Sequence, residues 1–154
     1  MELIPLCTLE ASLADVHVIG SGPAGMRTVA DVSGGTVSGE RLNGSVKGTN
    51  AADWMLTDAS GVATLDVRVV IETDDGALIY VTYGGRAEWS AGPGSNPIYI
   101  APRFETSDER YTWLNAVQAV GKGQLGRGTV MGTIWVPNAS SSQAVAASCW
   151  LRAP

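Results

Sequence analysis

Between Leu65 and Gly84 apolar and polar residues alternate on both sides of a short acidic break, LDVRVVIETDDGALIYVTYG. Val, Ile and Tyr suit a pleated, half-buried surface, and Asp-Gly between two such runs is a hairpin signal. Two registers satisfy the turn. A two-residue turn at Asp75-Gly76 sets Ile71 opposite Tyr80. A three-residue loop, Asp74-Asp75-Gly76 with Gly76 left-handed, sets Ile71 opposite Ile79 and Val69 opposite Val81. The second is preferred, because it gathers Val67, Val69, Ile71, Ile79, Val81 and Tyr83 on one face. Asp66, Arg68, Glu72, Tyr80 and Thr82 then share the other. A slip of one residue would mix the two sets, and burial of one face selects against that.

The same short-period pattern recurs along the chain. Leu3 to Leu13 reads as a first strand, which Val16 to Ile19 continues or follows. Arg27 to Val32 is a short strand, Ser33-Gly34-Gly35 a turn, and Leu42 to Val46 and Ala51 to Leu56 two more strands. Gly84 to Pro97 reads as a Gly/Pro/Ser-rich loop holding Trp89, and Pro97 to Thr106 as extended. Ser107 to Arg110 reads as one helical turn capped by Ser107, and Tyr111 to Val120 as a long strand. Gly121 to Gly128 is expected to be a flexible turn, and Thr129 to Val136 the last core strand. No long stretch has a 3.6-residue period. Many short strands with regular turns predict an all-β fold, and closure into an antiparallel barrel leaves no free edges. The expected division is one barrel domain over 1–137 and a Ser/Ala-rich tail over 138–154.

Composition narrows the function. Charged residues are only 16% of the 154, and the net charge is -5 with no Lys/Arg cluster, which argues against a nucleic-acid surface. No apolar run reaches the roughly 20 residues of a membrane-spanning helix. The N-terminus carries Glu2 and Glu10 and has no basic region before its apolar residues, so no signal peptide is read and a cytoplasmic location is expected. Cys7 and Cys149 are read as free buried thiols.

Several letter patterns fail as chemistry. Gly20, Gly22 and Gly25 spell GxGxxG, but Pro23 removes an amide donor and strand residues follow where that motif needs a helix. His17 is the sole histidine and has no nucleophile motif near it. One His and two distant Cys do not make a usual zinc site. Asp74-Asp75 is read as turn chemistry before metal ligation. No metal and no cofactor is expected.

Five short motifs occur in order: Gly34-Gly35-Thr36, Ala52-Asp53-Trp54, Thr73 to Val81, Pro102-Arg103-Phe104-Glu105-Thr106, and Tyr111-x-Trp113-Leu114-Asn115. Together, over Leu3 to Val136, they make the chain resemble the bacterial and fungal family called domain of unknown function 3237, or UPF0311. The resemblance implies a calycin-like antiparallel β-barrel and no agreed activity. The loop from Gly84 to Ile98 is shorter than the family's usual insertion, and the tail after Pro137 is extra.

The candidate site is built from Asp53, Trp54, Arg103, Glu105, Trp113 and Asn115. Arg103 and Glu105 share one face of a strand, as Trp113 and Asn115 would. If both pairs face the lumen, a carboxylate sits beside an indole and an amide, and an apolar setting raises its pKa toward useful values. The alternative is that Arg103 and Glu105 form an ion pair on the outer face and Trp113 is core. The expected function is a cofactor-free enzyme acting on a small, largely apolar or aromatic organic molecule by acid/base chemistry, as an isomerase, cyclase, lyase or hydrolase. Glu105 and Asp53 would move protons, and Arg103 or Asn115 would hold an oxyanion. Trp54, Trp113, Tyr80, Tyr111 and Arg68 would shape the pocket. A carrier with the same cavity is the competing class, and a homo-oligomer packed through its outer apolar face is a third.

Overall fold

The computed structural model describes residues 1–138, so the expectations for the tail beyond Asn138 and for Cys149 lie outside the described residues. Nine strands follow in order: β1 (Leu3–Gly22), β2 (Gly25–Ser38), β3 (Gly44–Val46), β4 (Ala51–Thr57), β5 (Val62–Thr73), β6 (Leu78–Glu88), β7 (Ile98–Glu105), β8 (Val120–Leu125) and β9 (Thr129–Pro137). All neighbouring pairs are antiparallel. β3 and β4 act as one interrupted strand between β2 and β5. The pairing runs from β5 through β6, β7, β8 and β9 to β1, and β1 also pairs β2, giving a barrel-like ring. The ring is uneven. β5 and β6 pair from Val62↔Glu88 to Glu72↔Leu78, whereas β7 and β8 share only Ile98↔Gly123 to Ile100↔Gly121.

The β5–β6 hairpin has the three-residue register. Val69 faces Val81, Ile71 faces Ile79, and Gly76 is left-handed at φ 88°. A side chain there would be strained, and glycine is not. Val67, Val69, Ile71, Ile79 and Val81 are buried, as the alternation requires. GxGxxG is the β1–β2 hairpin, in which Ser21 pairs with Met26 and Gly22 with Gly25.

Four sequence expectations are corrected. β2 runs unbroken through Gly34-Gly35, where a turn is expected, whereas β1 continues to Gly22 as one of its two readings allowed. A Cβ on Gly35 would fall 2.4 Å from the Glu10 carbonyl oxygen, so this glycine marks close strand approach, not a turn. Residues Thr112–Ala116 form a short 3-10 helix instead of a strand. Tyr111, Leu114 and Val117 all pack on the core, and three-residue spacing suits that helix. The turn before it is closed by the Tyr111 amide on the Asp108 carbonyl, and the side chain at its start is that of Asp108 in place of Ser107, with Oδ1 accepting from the Arg110 amide at 3.1 Å. Finally, Val120–Leu125 is a strand, and its glycines give room to neighbours: a Cβ on Gly121 would lie 2.7 Å from Ile100 Cγ1.

The core is divided. One cluster fills one end of the barrel with Leu6, Leu42, Val69, Ile71, Ile79, Val81, Phe104, Leu114, Ile134 and Val136. A smaller cluster of Ala63, Leu65, Val67, Ala87, Trp89 and Ile98 lies toward the other end, and Tyr83 packs against both.

Candidate functional site

Above the smaller cluster the barrel is hollow. A cavity of about 970 Å³ opens between the β1–β2 hairpin, the β4–β5 turn, the loop after β6 and the β8–β9 turn. That volume is at the upper end of the range for small-molecule sites. Its wall is made by inward residues two apart: Ala14, Val16 and Val18 on β1, Thr28, Ala30 and Val32 on β2, and Asp53, Met55 and Thr57 on β4. Leu65, Val67, Tyr83 and Trp89 form the floor and far side. Among the described residues the lining holds no Lys, Arg or His. An anionic ligand would find no counter-charge there.

Two lining groups stand out. Asp53 points inward between Ala30 on β2 and Val67 on β5. Burial pushes its pKa up to about 6, against the pull of a 3.1 Å hydrogen bond donated to Oδ1 by the Asp66 backbone amide. The nearby Asp66 charge pushes in the same upward direction. Tyr83 projects from β6 into the same space. Burial, and then the Asp53 charge, push its phenol well above its ordinary range, so it stays a neutral hydrogen-bond donor. The second carboxylate on the lining, Asp58, is exposed at the mouth and takes hydrogen bonds from the Ser60 amide and hydroxyl and the Val62 amide. These lower its pKa and make it the anchor of the β4–β5 turn.

Of the residues singled out from sequence, only Asp53 reaches the cavity. Arg103 and Glu105 do lie on one face of β7, but that face is the outer one, and both are exposed. The lumen expectation for this pair is corrected: Pro102 and Phe104 take the inward positions. Tyr80 is on the outer face beside Glu105. Trp54 points outward from β4, where the Arg68 guanidinium lies 5.1 Å from its ring centre. Trp113 and Asn115 do not share a face, because a 3-10 turn separates residues two apart. Trp113 packs on the closed-end cluster under Arg41, 3.8 Å from the ring centre. Asn115 ties the β7 end to the helix: its Oδ1 accepts from the Thr106 amide at 2.9 Å and its Nδ2 donates to the Thr106 carbonyl at 2.9 Å.

Tyr111 donates to the Asp75 carboxylate, which also meets Arg110 at 2.9 Å and the Thr73 hydroxyl. This cluster closes the β5–β6 turn and gives Asp75 a structural use; its pKa is lowered accordingly. His17 pairs with Asp31 at 3.1 Å on the exposed surface. Cys7 is free and buried, its thiol pushed up to about 12 by that burial. Tyr83 stands on the apolar hairpin face expected from sequence, whereas Met55 and Thr28 are lining residues that the sequence reading missed, since nothing in their local sequence marks a cavity.

The family model described as "Protein of unknown function (DUF3237)" matches residues 1–136. A UPF0311 protein of Rhodopseudomonas palustris (strain TIE-1) is 32% identical over 119 residues, covering 70% of this chain and 77% of that protein. The hydroalkoxylation enzyme phnH of Penicillium herquei is 33% identical over 105 residues, covering 68% of this chain and 62% of that enzyme. A crystal structure of a beta-barrel like protein from Acinetobacter baumannii AYE matches with a TM-score of 0.80 and 34% identity, over 88% of this chain and 94% of that one.

Proposed function

Because the chain belongs to the DUF3237 family, in which a named enzyme is among its relatives, we propose that it is a cofactor-free enzyme acting on a small, largely apolar organic molecule in the barrel lumen. The barrel is read as calycin-like, a cup with one filled end and one open to ligand. Asp53 is the general acid/base, and Tyr83 orients a hydroxyl or carbonyl oxygen of the substrate. The observation that carries this reading is a buried carboxyl group with a pKa of about 6 in a predominantly apolar lining without a basic side chain among the described residues. Such a group populates both protonation states near neutral pH, as an acid that must become a base within one turnover requires.

Hydroalkoxylation, named for the Penicillium herquei relative, is the reaction this set of groups serves best. An alcohol O–H adds across a C=C bond. The Asp53 carboxyl gives its proton to one alkene carbon, and the hydroxyl oxygen bonds to the other. The hydroxyl proton returns to the Asp53 carboxylate, so a C–O and a C–H bond replace a C=C and an O–H bond with no co-reactant. The apolar wall holds the alkene and excludes water that would compete for the cationic carbon.

The test is turnover of a panel of hydroxyl-bearing alkenes in D₂O, with product deuteration read by mass spectrometry. One deuterium on carbon per product, lost in Asp53→Asn, supports the reading. Tight binding of the panel without turnover would leave a carrier, the second reading that so apolar a lining favours.

A further inference from the structure

We propose that Arg27 is a positioning residue for Asp53: by taking the Trp54 carbonyl it keeps the β4–β5 ladder open, which leaves the Asp66 amide to the Asp53 carboxylate. The inference rests on the reading of Asp53 as the acid/base group. Pairing between β4 and β5 runs Ala52↔Arg68 and Asp53↔Val67, then resumes at Leu56↔Thr64. The register would set Trp54 opposite Asp66 and Met55 opposite Leu65, and both pairs are skipped. The two orphaned backbone groups are met by side chains. Arg27 Nη1 donates to the Trp54 carbonyl at 2.5 Å, and the Asp66 amide donates to Asp53 Oδ1 at 3.1 Å.

The faces divide the work. Arg27, Trp54, Asp66 and Arg68 alternate with the cavity-lining residues of their strands and so lie outside. Arg68 stacks on Trp54 and meets Asp66 at 3.2 Å, so the outer side of the opening is bracketed. Asp53 alone lies inside. A guanidinium suits the task because it offers several fixed donors and does not lose its charge. Were the ladder closed, Asp66 would donate to the Trp54 carbonyl and Asp53 would lose the one donor that favours its ionised form. Burial would then hold the carboxyl neutral over more of the working pH range. The other titratable groups acting on or facing Asp53 are Asp66 on β5, Tyr83 from β6 and Asp58 at the mouth; β2 offers only the uncharged Met26, Thr28, Ala30 and Val32 to the lumen.

The test is a pH titration followed by NMR at the Asp53 carboxyl carbon and the Asp66 amide, which needs no substrate. In the wild type the Asp66 amide should shift with the same midpoint as the Asp53 carboxyl. In Arg27→Met the Asp53 midpoint should rise and the Asp66 amide should stop following it. Arg27→Lys, which keeps a charge and a donor, should restore part of the coupling. Loss of a cation alone would raise the midpoint but leave the amide following, and that result overturns the proposal, as does no change at all. Should Arg27→Met not fold, the wild type still decides: a scalar coupling across a hydrogen bond from the Asp66 nitrogen to the Trp54 carbonyl carbon would show a closed ladder and overturn it. If Asp53→Asn leaves turnover intact while the amide coupling behaves as described, it is the catalytic reading that fails and the positioning that stands.

Discussion

The two ends of this barrel are built from the same alternating strands and end differently. At the closed end the inward residues are large: Leu6, Leu42, Ile79 and Leu114 are among the most fully buried side chains. The 3-10 helix lies across that end, held by Asn115 on Thr106 and Tyr111 on Asp75. At the open end the inward residues of β1, β2 and β4 include Ala11, Ala14, Ala30, Thr28 and Thr57. Alternation therefore sets which way a side chain points, and residue volume sets whether the space is filled. A hollow of this kind tolerates one costly group. Asp53 sits where the wall is apolar but room remains for ligand, and its raised pKa is the mark of that compromise.

The contrast yields four tests. The largest effect is expected at the open end. Asp53→Asn should lower turnover ~10²–10⁴-fold, the usual worth of a general acid/base. The same change should stabilise the fold. Asp53 has a pKa of about 6 against an ordinary 3.8, so the folded state binds the proton more tightly than the unfolded chain. Wild-type stability should fall as pH rises from about 4 to about 6 and level off above, by at most about 3 kcal/mol. Denaturant melts should show wild type and variant alike at pH 3.5 and the variant ahead at pH 8. A variant that is less stable at pH 8 would mean Asp53 is a structural group.

At the closed end Leu114→Ala should cost about 2–5 kcal/mol, since it empties a fully buried site. Val18→Ala, on the exposed lip of the open end, should stay within about 0.5 kcal/mol by the same melts. Equal costs would erase the distinction between the two ends. Next, Ala30→Phe grows a side chain into the cavity. Affinity for an apolar fluorescent probe should drop roughly tenfold, about 1.4 kcal/mol, with little change in melting temperature. A large loss of stability would show that the hollow is already filled by side chains. The smallest effect is expected on the outer face. Glu105→Gln should leave turnover unchanged and shift stability by under about 0.5 kcal/mol, because Glu105 is exposed. Loss of turnover there would restore the paired-carboxylate site read from the sequence.

The β5–β6 hairpin was legible residue by residue, because a two-residue period and an Asp-Gly turn constrain the same register. Tyr111 to Val120 was misread. Its apolar residues recur at three, and over so short a run that spacing is hard to tell from an irregular strand. Gly121 and Gly123 were misread as turn signals, because a glycine that admits a neighbour's Ile100 looks the same in sequence as one that bends the chain. Of the candidate site, Asp53 was picked out with the wrong companions. Trp54, Arg103, Glu105 and Tyr80 all face outward, and their apparent partnership came from proximity along single strands.

By itself, then, the sequence determined the all-β class, the central register and the family, all of which follow from local periodicity and ordered short motifs. The tertiary structure alone decided which face of β7 looks inward and where large residues give way to small ones. It also decided which carboxylate lost its water, because Asp53 and Tyr83 come near each other only when β4, β5 and β6 lie side by side, with Val67 paired to both. Desolvation belongs to a volume enclosed by many strands, and no single stretch of chain encodes it.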